Sequence, residues 1–312
     1  MLYSHTKFVS ILIAFFVVIL LQVIIILFWK QAKYWTIANL FLLLIVVFWY
    51  GAYSFMNMAR EESAGIFHFE ENQSTAIVTE ERISQFPLIV QQWLRNSQVI
   101  GTSQTYAVRL QQKGEMRTKP DADFMPFEAA QYFNCVNASF VWTTKVRMFP
   151  KVYLFGRDKL VNAKGAMLIK LGALISVVDE RESYEITSGA MLRYLAEICW
   201  FPSAALYDHI QWKSISDTSA EATLTINNIS VSGVFNFSEK GEILSFTADR
   251  FYGDAKPPTL EKWCIEMLSY KEVNNIIIPD KAKVIWKLPE DDFHWLTLEI
   301  VEIEYNVPVL YE

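Results

Sequence analysis

The segment Leu192–Leu206, LRYLAEICWFPSAAL, places Arg193 and Glu197 four residues apart in otherwise apolar surroundings. On a helix that spacing puts both side chains on one face. Such a pair can do one of three things. On a solvated surface it is an ion pair worth roughly 0.3–0.5 kcal/mol. Buried, it needs further polar partners and is retained where a specific arrangement matters. In a cavity wall it fixes the polar part of a ligand. Tyr194, Trp200 and Phe201 crowd the same segment, so the helix is apolar over much of its girth and lies between a sheet and something else. Arg157 and Asp158 in FGRDKL follow an apolar strand, at a strand end or a cavity rim. The candidates for a ligand cavity are therefore Arg193, Glu197, Trp200 and Arg157, with Trp142 and Tyr132 as aromatic members. For those two a filled core is the competing reading.

No reaction is legible. His5, His68, His209 and His294 share no spacing suited to a metal, and no carboxylate-rich calcium loop occurs. A G-x-S-x-G elbow, a phosphate-binding loop and a G-x-G-x-x-G turn are all missing. Cys135, Cys199 and Cys264 are odd in number and far apart, which reads as buried thiols rather than a disulfide framework or zinc site. No cofactor is implied. N-x-S triplets at Asn72, Asn137, Asn228 and Asn236 carry little weight, because chance matches are common.

The elements that would hold such a site divide sharply. Of 312 residues, Phe8–Trp29 and Thr36–Met56 form uncharged apolar runs of 22 and 21. Each exceeds the roughly 20 residues needed to cross about 30 Å of hydrocarbon as a helix. Only KQAKYW separates them, so they form an antiparallel hairpin, with Trp29, Tyr34, Trp35, Trp49, Tyr50 and Tyr53 as interfacial aromatics. The first run is too long for a signal-peptide core, and no small-residue cleavage site follows it. Lys30 and Lys33 in the hairpin oppose Lys7 and Arg60 on the flanks, a near balance that leans to a cytoplasmic hairpin with the following domain outside. The first 56 residues hold three basic and no acidic residues, leaving 25 basic against 34 acidic beyond them, a net charge of −9. An acidic domain of that kind is a poor binder of nucleic acid.

Residues 57–81 read as a polar linker, and 82–312 as one soluble β-rich domain. Pro87 opens a short amphipathic helix carrying Leu88, Val90, Trp93 and Leu94. PFEAAQYF reads as a helix start with Glu128 in its first turn. From Tyr106 onward, period-two alternation dominates; Phe140, Trp142, Thr144, Val146 and Met148 share one strand face. A helix over 188–201, capped by Ser188 or Thr187 and ended by Pro202, interrupts the strands. About ten or eleven strands and two or three helices result, mostly in neighbouring hairpins. The expected class is α+β: a curved, mostly antiparallel sheet with helices on its concave side.

VRLQQKGEMR, FEAAQYF, FVWTTKVRMFP, GRDKLVNAKGAMLIKL, MLRYLAEICWFPSAAL, SGVFNFSEKGEI and IEYN occur in that order. Together they resemble a bacterial family of domain-of-unknown-function proteins, many attached to the membrane by N-terminal helices. The resemblance spans roughly Phe86 to Asn306 and implies no activity. The order of strands and helix, with YKEVNNIIIPDKAKVIW, is more weakly similar to the LolA-type lipoprotein-carrier fold. In that fold an incompletely closed antiparallel β-barrel with helical plugs holds an acyl chain outside the cytoplasmic membrane. The double anchor departs from a shuttling carrier. The resemblance thus implies an integral membrane protein with an extracytoplasmic domain that binds a lipid or other hydrophobic ligand. A protein-interaction module is the alternative, and a lipid-directed enzyme a third reading.

Overall fold

The computed structural model describes residues 2–68, 76–253 and 258–311. Part of the expected linker, 69–75, and with it the Asn72 triplet, lies outside the described residues. Helix α1 (Leu2–Leu27), the short α2 (Trp29–Ala32) and α3 (Trp35–Gly65) come first. Both long helices are apolar enough to cross a membrane by length and composition. They pack antiparallel through Ile11, Val18 and Val46, and Asn39 Nδ2 on α3 donates to Val18 O and Gln22 Oε1 on α1, both at 3.0 Å. Small polar side chains of this kind join helices where lipid offers no competing partner.

Two short helices follow, α4 (Glu80–Ile83) and α5 (Leu88–Asn96). Pro87 stands just before α5 as its cap rather than as its first residue. The strands are β1 (Ala107–Met116), β2 (Met125–Asn134), β3 (Ser139–Phe149), β4 (Val152–Val161), β5 (Lys164–Leu171) and β6 (Ile175–Arg181). After α6 (Tyr184–Glu197) come β7 (Ile210–Ser216), β8 (Ser219–Ile226), β9 (Ile229–Phe237), β10 (Ile243–Tyr252), β11 (Thr259–Val273), β12 (Ile276–Lys287) and β13 (Asp292–Tyr305). The described residues thus hold thirteen strands, more than the sequence pattern predicts. They form one antiparallel sheet in the order β6-β5-β4-β3-β2-β1-β13-β12-β11-β10-β9-β8-β7. It comprises two meanders joined where the first strand pairs with the last. The sheet is open, with β6 and β7 as its edges, and does not close into a barrel.

Helix α6 explains the curvature. It packs on β4 and β5 at one flank and on β8, β9 and β10 at the other. Those strands lie toward opposite ends of the sheet order, so the sheet curls around the helix. Ser183 caps α6, its Oγ accepting from Ile186 N. The helix therefore begins a turn earlier than the expected Thr187 or Ser188 cap. A 3₁₀ turn, Ile198–Trp200, continues it, and Pro202 opens another, Pro202–Leu206. Met191, Tyr194 and Leu195 are fully buried in the main core, each burial worth roughly 1.5–3 kcal/mol. Gly165 on β5 lets α6 sit close, since a Cβ there would lie 2.6 Å from Ile186 O.

PFEAAQYF, expected to start a helix, is instead β2, paired with β1 and β3 over its length. Phe127, Ala129, Gln131 and Phe133 face the core, and the opposite face is also covered. The covering element is the C-terminal half of α3. It runs down the convex face, packing Phe55 against Phe155, Leu168 and Ala173, then Ile66 against Tyr132 and Val141. Its approach begins at the β5–β6 turn, where Cβ atoms added at Gly172 and Gly51 would press on Phe48 and Leu174.

Candidate functional site

An apolar cavity of about 200 Å³ lies on the concave face beneath the end of α6. That is below the roughly 300–1,000 Å³ of pockets for drug-sized ligands, and it suits a slender one. Met116, Met125, Met167 and Met267 line it with Trp142, Trp263 and Trp295. Methionine makes a deformable wall, because its unbranched side chain repacks easily. A second hollow of about 380 Å³ beside Tyr207, Asp208 and Trp212 is larger but shallow, polar and open to solvent.

Polar groups gather at the α6 side of the cavity. Arg193 Nε donates to Glu197 Oε1 and Nη1 to Asp158 Oδ2, both at 2.9 Å. Gln131 Nε2 donates to Glu197 Oε2 at 2.7 Å, and Arg193 Nη2 donates to Gln131 Oε1 at 3.4 Å. The guanidinium lies over Trp142, 4.6 Å from the ring centroid. Asp158 and Glu197 are almost fully buried. Burial pushes the Glu197 carboxyl above its usual range, against the pull of Arg193. Burial also opposes the Arg193 charge, but Glu197 and Asp158 outweigh it and hold the guanidinium charged. The Arg–Glu pair is therefore not a solvated surface bridge. It is the centre of a buried network of four side chains spanning β2, β4 and α6.

The six expected residues separate into three groups. Arg193, Glu197, Trp200 and Trp142 meet at the cavity. Arg157 borders it from β4, but its guanidinium turns to the convex face, where Nη1 donates to Ala166 O at 2.7 Å. Its Nε lies 2.9 Å from Glu62 Oε2 on α3, at ion-pair distance but without the alignment of a hydrogen bond. Lys159 Nζ meets the other oxygen of Glu62 at 2.7 Å. Tyr132 sits on the convex face as well, between Phe67 and Tyr311, its hydroxyl accepting from Tyr311 N at 3.2 Å.

The sequence also leaves unmarked the methionine wall, Gln131 of the network and a second cavity arginine. Arg250 on β10 lines the cavity, its guanidinium 4.6 Å from the Trp263 ring and 5.7 Å from Trp286. Alternation along ILSFTADRFY could have shown it, since Arg250 shares a face with Phe246 and Ala248, while Asp249 points out to Lys262. Cys135, Cys199 and Cys264 are buried free thiols. Among the described residues no group of three or more His, Cys, Asp or Glu could hold a metal.

A family of unknown function, DUF6920, matches residues 84–305. No curated protein matches the chain. A solved structure described as an outer membrane lipoprotein-sorting protein domain, from Vibrio parahaemolyticus, is similar at 10% identity and a TM-score of 0.39, over 65% of this chain and 87% of that one. A DUF1329 family protein from Desulfovibrio piger is similar at 10% identity and a TM-score of 0.36, over 71% of this chain and 93% of that one.

Proposed function

The chain belongs to the DUF6920 family, and we propose that it is a membrane-anchored protein whose β-rich domain holds a lipid or other hydrophobic ligand in the cavity beneath α6. The observation that carries this reading is the cavity itself, an apolar space with a methionine and tryptophan wall and a fixed polar network at one side. A core built only for stability packs such space shut.

The placement of the cavity relative to the long helices supports the reading. Helix α3 is 31 residues long, so about 20 can span the membrane and the rest lie on the sheet. It reaches the sheet at the β5–β6 turn and passes down β4 toward Ile66. By strand register the β1–β2, β3–β4, β5–β6 and β12–β13 turns share that end. There Phe149, Val152, Ile175 and Val177 are exposed, beside Lys145, Arg147 and Lys151. Apolar tips with polar flanks suit a membrane interface. Met116, Met125, Val146 and Leu154 line the cavity near the same end. A ligand then passes between bilayer and cavity without crossing water. The hairpin with Lys30 and Lys33 lies at the far end of the helices, and we propose that it faces the cytoplasm with the sheet outside, the side to which the basic residues lean.

Native mass spectrometry of the full chain released from nanodiscs, with lipid extraction of the same sample, tests the proposal. An acyl species should stay bound. It should be lost in Ala282→Phe, which fills the cavity from a buried position on β12. Retention by that variant equal to wild type would locate bound lipid on the helices instead and defeat the proposal.

A further inference from the structure

Among the described residues, the buried side-chain polar atoms around the cavity that have neither a hydrogen bond nor an ion-pair partner are all donors. Nε1 of Trp200, Trp263 and Trp295 and Nε2 of Gln112 make no hydrogen bond with any described residue; all four residues line the cavity, with these N–H groups set back in its wall. A buried donor without an acceptor costs roughly 1–3 kcal/mol, so four around one space is an unusual concentration. Carboxylates do not answer them: Asp158 and Glu197 are engaged by Arg193 and Gln131.

Arg250 belongs to the same set. Among the described residues it makes no ion pair; its guanidinium lies against the faces of Trp263 and Trp286, and Asp158 and Glu197 support its charge only from beyond contact distance. The other cavity arginine, Arg193, holds two carboxylates. The fold makes room for the unpaired one. Gly189 lies in the middle of α6, where glycine costs about 1 kcal/mol of helix propensity relative to alanine. A Cβ at that position would sit 3.1 Å from Arg250 Nε and 3.5 Å from Nη2. A helix-weakening residue thus stands where the guanidinium would otherwise be crowded.

We infer that the ligand is an anionic amphiphile: a slender apolar chain lying along the methionine wall, with a head group rich in acceptor oxygens, carboxylate or phosphate, received by Arg250 and the unpartnered indole and amide N–H groups. This rests on the cavity being a ligand site. It adds the sign and hydrogen-bonding character of the head. Arginine presents a planar fork matched to both oxyanions, and such charge-assisted bonds are the strong ones. A neutral alcohol satisfies at most one or two donors and leaves the cation as it was.

The full chain in phosphatidylcholine nanodiscs is titrated with dodecyl phosphate, 1-dodecanol and inorganic phosphate, against empty nanodiscs. Dodecyl phosphate should bind wild type at least about tenfold more tightly than 1-dodecanol, the scale of one charged hydrogen-bonding group. In Arg250→Met that preference should fall below about threefold, with 1-dodecanol unchanged. Equal binding of the two amphiphiles, indifferent to Arg250→Met, overturns the head-group assignment while leaving the cavity reading intact. No retention of either above empty nanodiscs removes both. Inorganic phosphate bound as tightly as dodecyl phosphate, with the same dependence on Arg250, overturns the amphiphile in favour of a free anion. Should Arg250→Met not fold, Gly189→Ala strengthens the helix while displacing the guanidinium. It should reduce the preference in the same direction, and an unchanged preference there counts against the inference.

Discussion

Arg193 neutralises two buried carboxylates at once, so its removal is costly in a way that no surface bridge would be. Arg193→Met leaves Asp158 and Glu197 uncompensated, and we expect a loss of about 3–5 kcal/mol by denaturant unfolding of the full chain in detergent. Adding Asp158→Asn and Glu197→Gln should recover most of it, because a neutral network restores the balance. His209 governs a different property. It stacks on Tyr207, ring centroids 5.3 Å apart, and burial pushes its pKa down to about 4 from 6.5. Asp208 works against that shift, and Tyr194 is the other ring packed near it. The folded chain therefore refuses a proton that the unfolded chain accepts. Its contribution is complete above about pH 6.5 and declines as the pH falls toward about 4. Glu197, with a raised pKa, acts in the opposite sense: it favours the fold at low pH and loses that contribution as the pH rises through its folded value. His209→Phe keeps the stacking and removes the titration, so stability measured from pH 6.5 to 4 should lose its downward slope in acid.

Strand β4 presents alternate residues to two different partners. Arg157 and Lys159 hold Glu62 of α3 on the convex side, while Asp158 between them holds Arg193 on the concave side. Glu62→Ala should expose the lower half of α3: hydrogen exchange across residues 51–65 should quicken by tenfold or more (about 1.4 kcal/mol), with α1 unaffected. Exchange that stays at the wild-type rate would show that Phe55 and Ile66 hold the helix alone. This two-sided packing also explains which elements could be read from the sequence. β3 was legible because one of its faces alternates clearly, as do β8, β9 and β10. β2 was not. Its core-facing Phe127, Ala129 and Phe133 interleave with Ala130 and Tyr132, which α3 and the segment around Tyr311 cover. Burial on both faces erases the period of two and leaves an alanine-containing apolar run that mimics a helix. The Arg193–Glu197 pair stood out because it interrupts an apolar helix. Arg157 and Tyr132 belong to the face that α3 covers, and nothing in the sequence tells that α3 takes that side of the sheet. Arg250 gives no such signal, because beside Asp249 in a strand a lone arginine has the look of solvent-facing charge.

At the scale of the whole molecule, we propose that one end of the sheet lies against the membrane. A fluorophore placed at residue 149, on the β3–β4 turn, should be quenched by lipids spin-labelled at the head group. One at residue 274, on the β11–β12 turn at the opposite end, should not. Equal quenching at both sites would mean that the sheet lies flat on the bilayer, and no quenching that it stands clear. The two meanders behave alike in that each pairs strands close in sequence. The seam between them does not: 197 positions separate Val108 from its partner Tyr305. During synthesis, β1 leaves the ribosome long before the strand that completes it. Until Asp292–Tyr305 arrives, β1 and β12 are both bare edges in what should be the middle of a sheet, each able to template another chain. The slowest and most error-prone step in assembling this sheet is therefore the arrival of β13. A message truncated before β13 should yield aggregate rather than a smaller working domain.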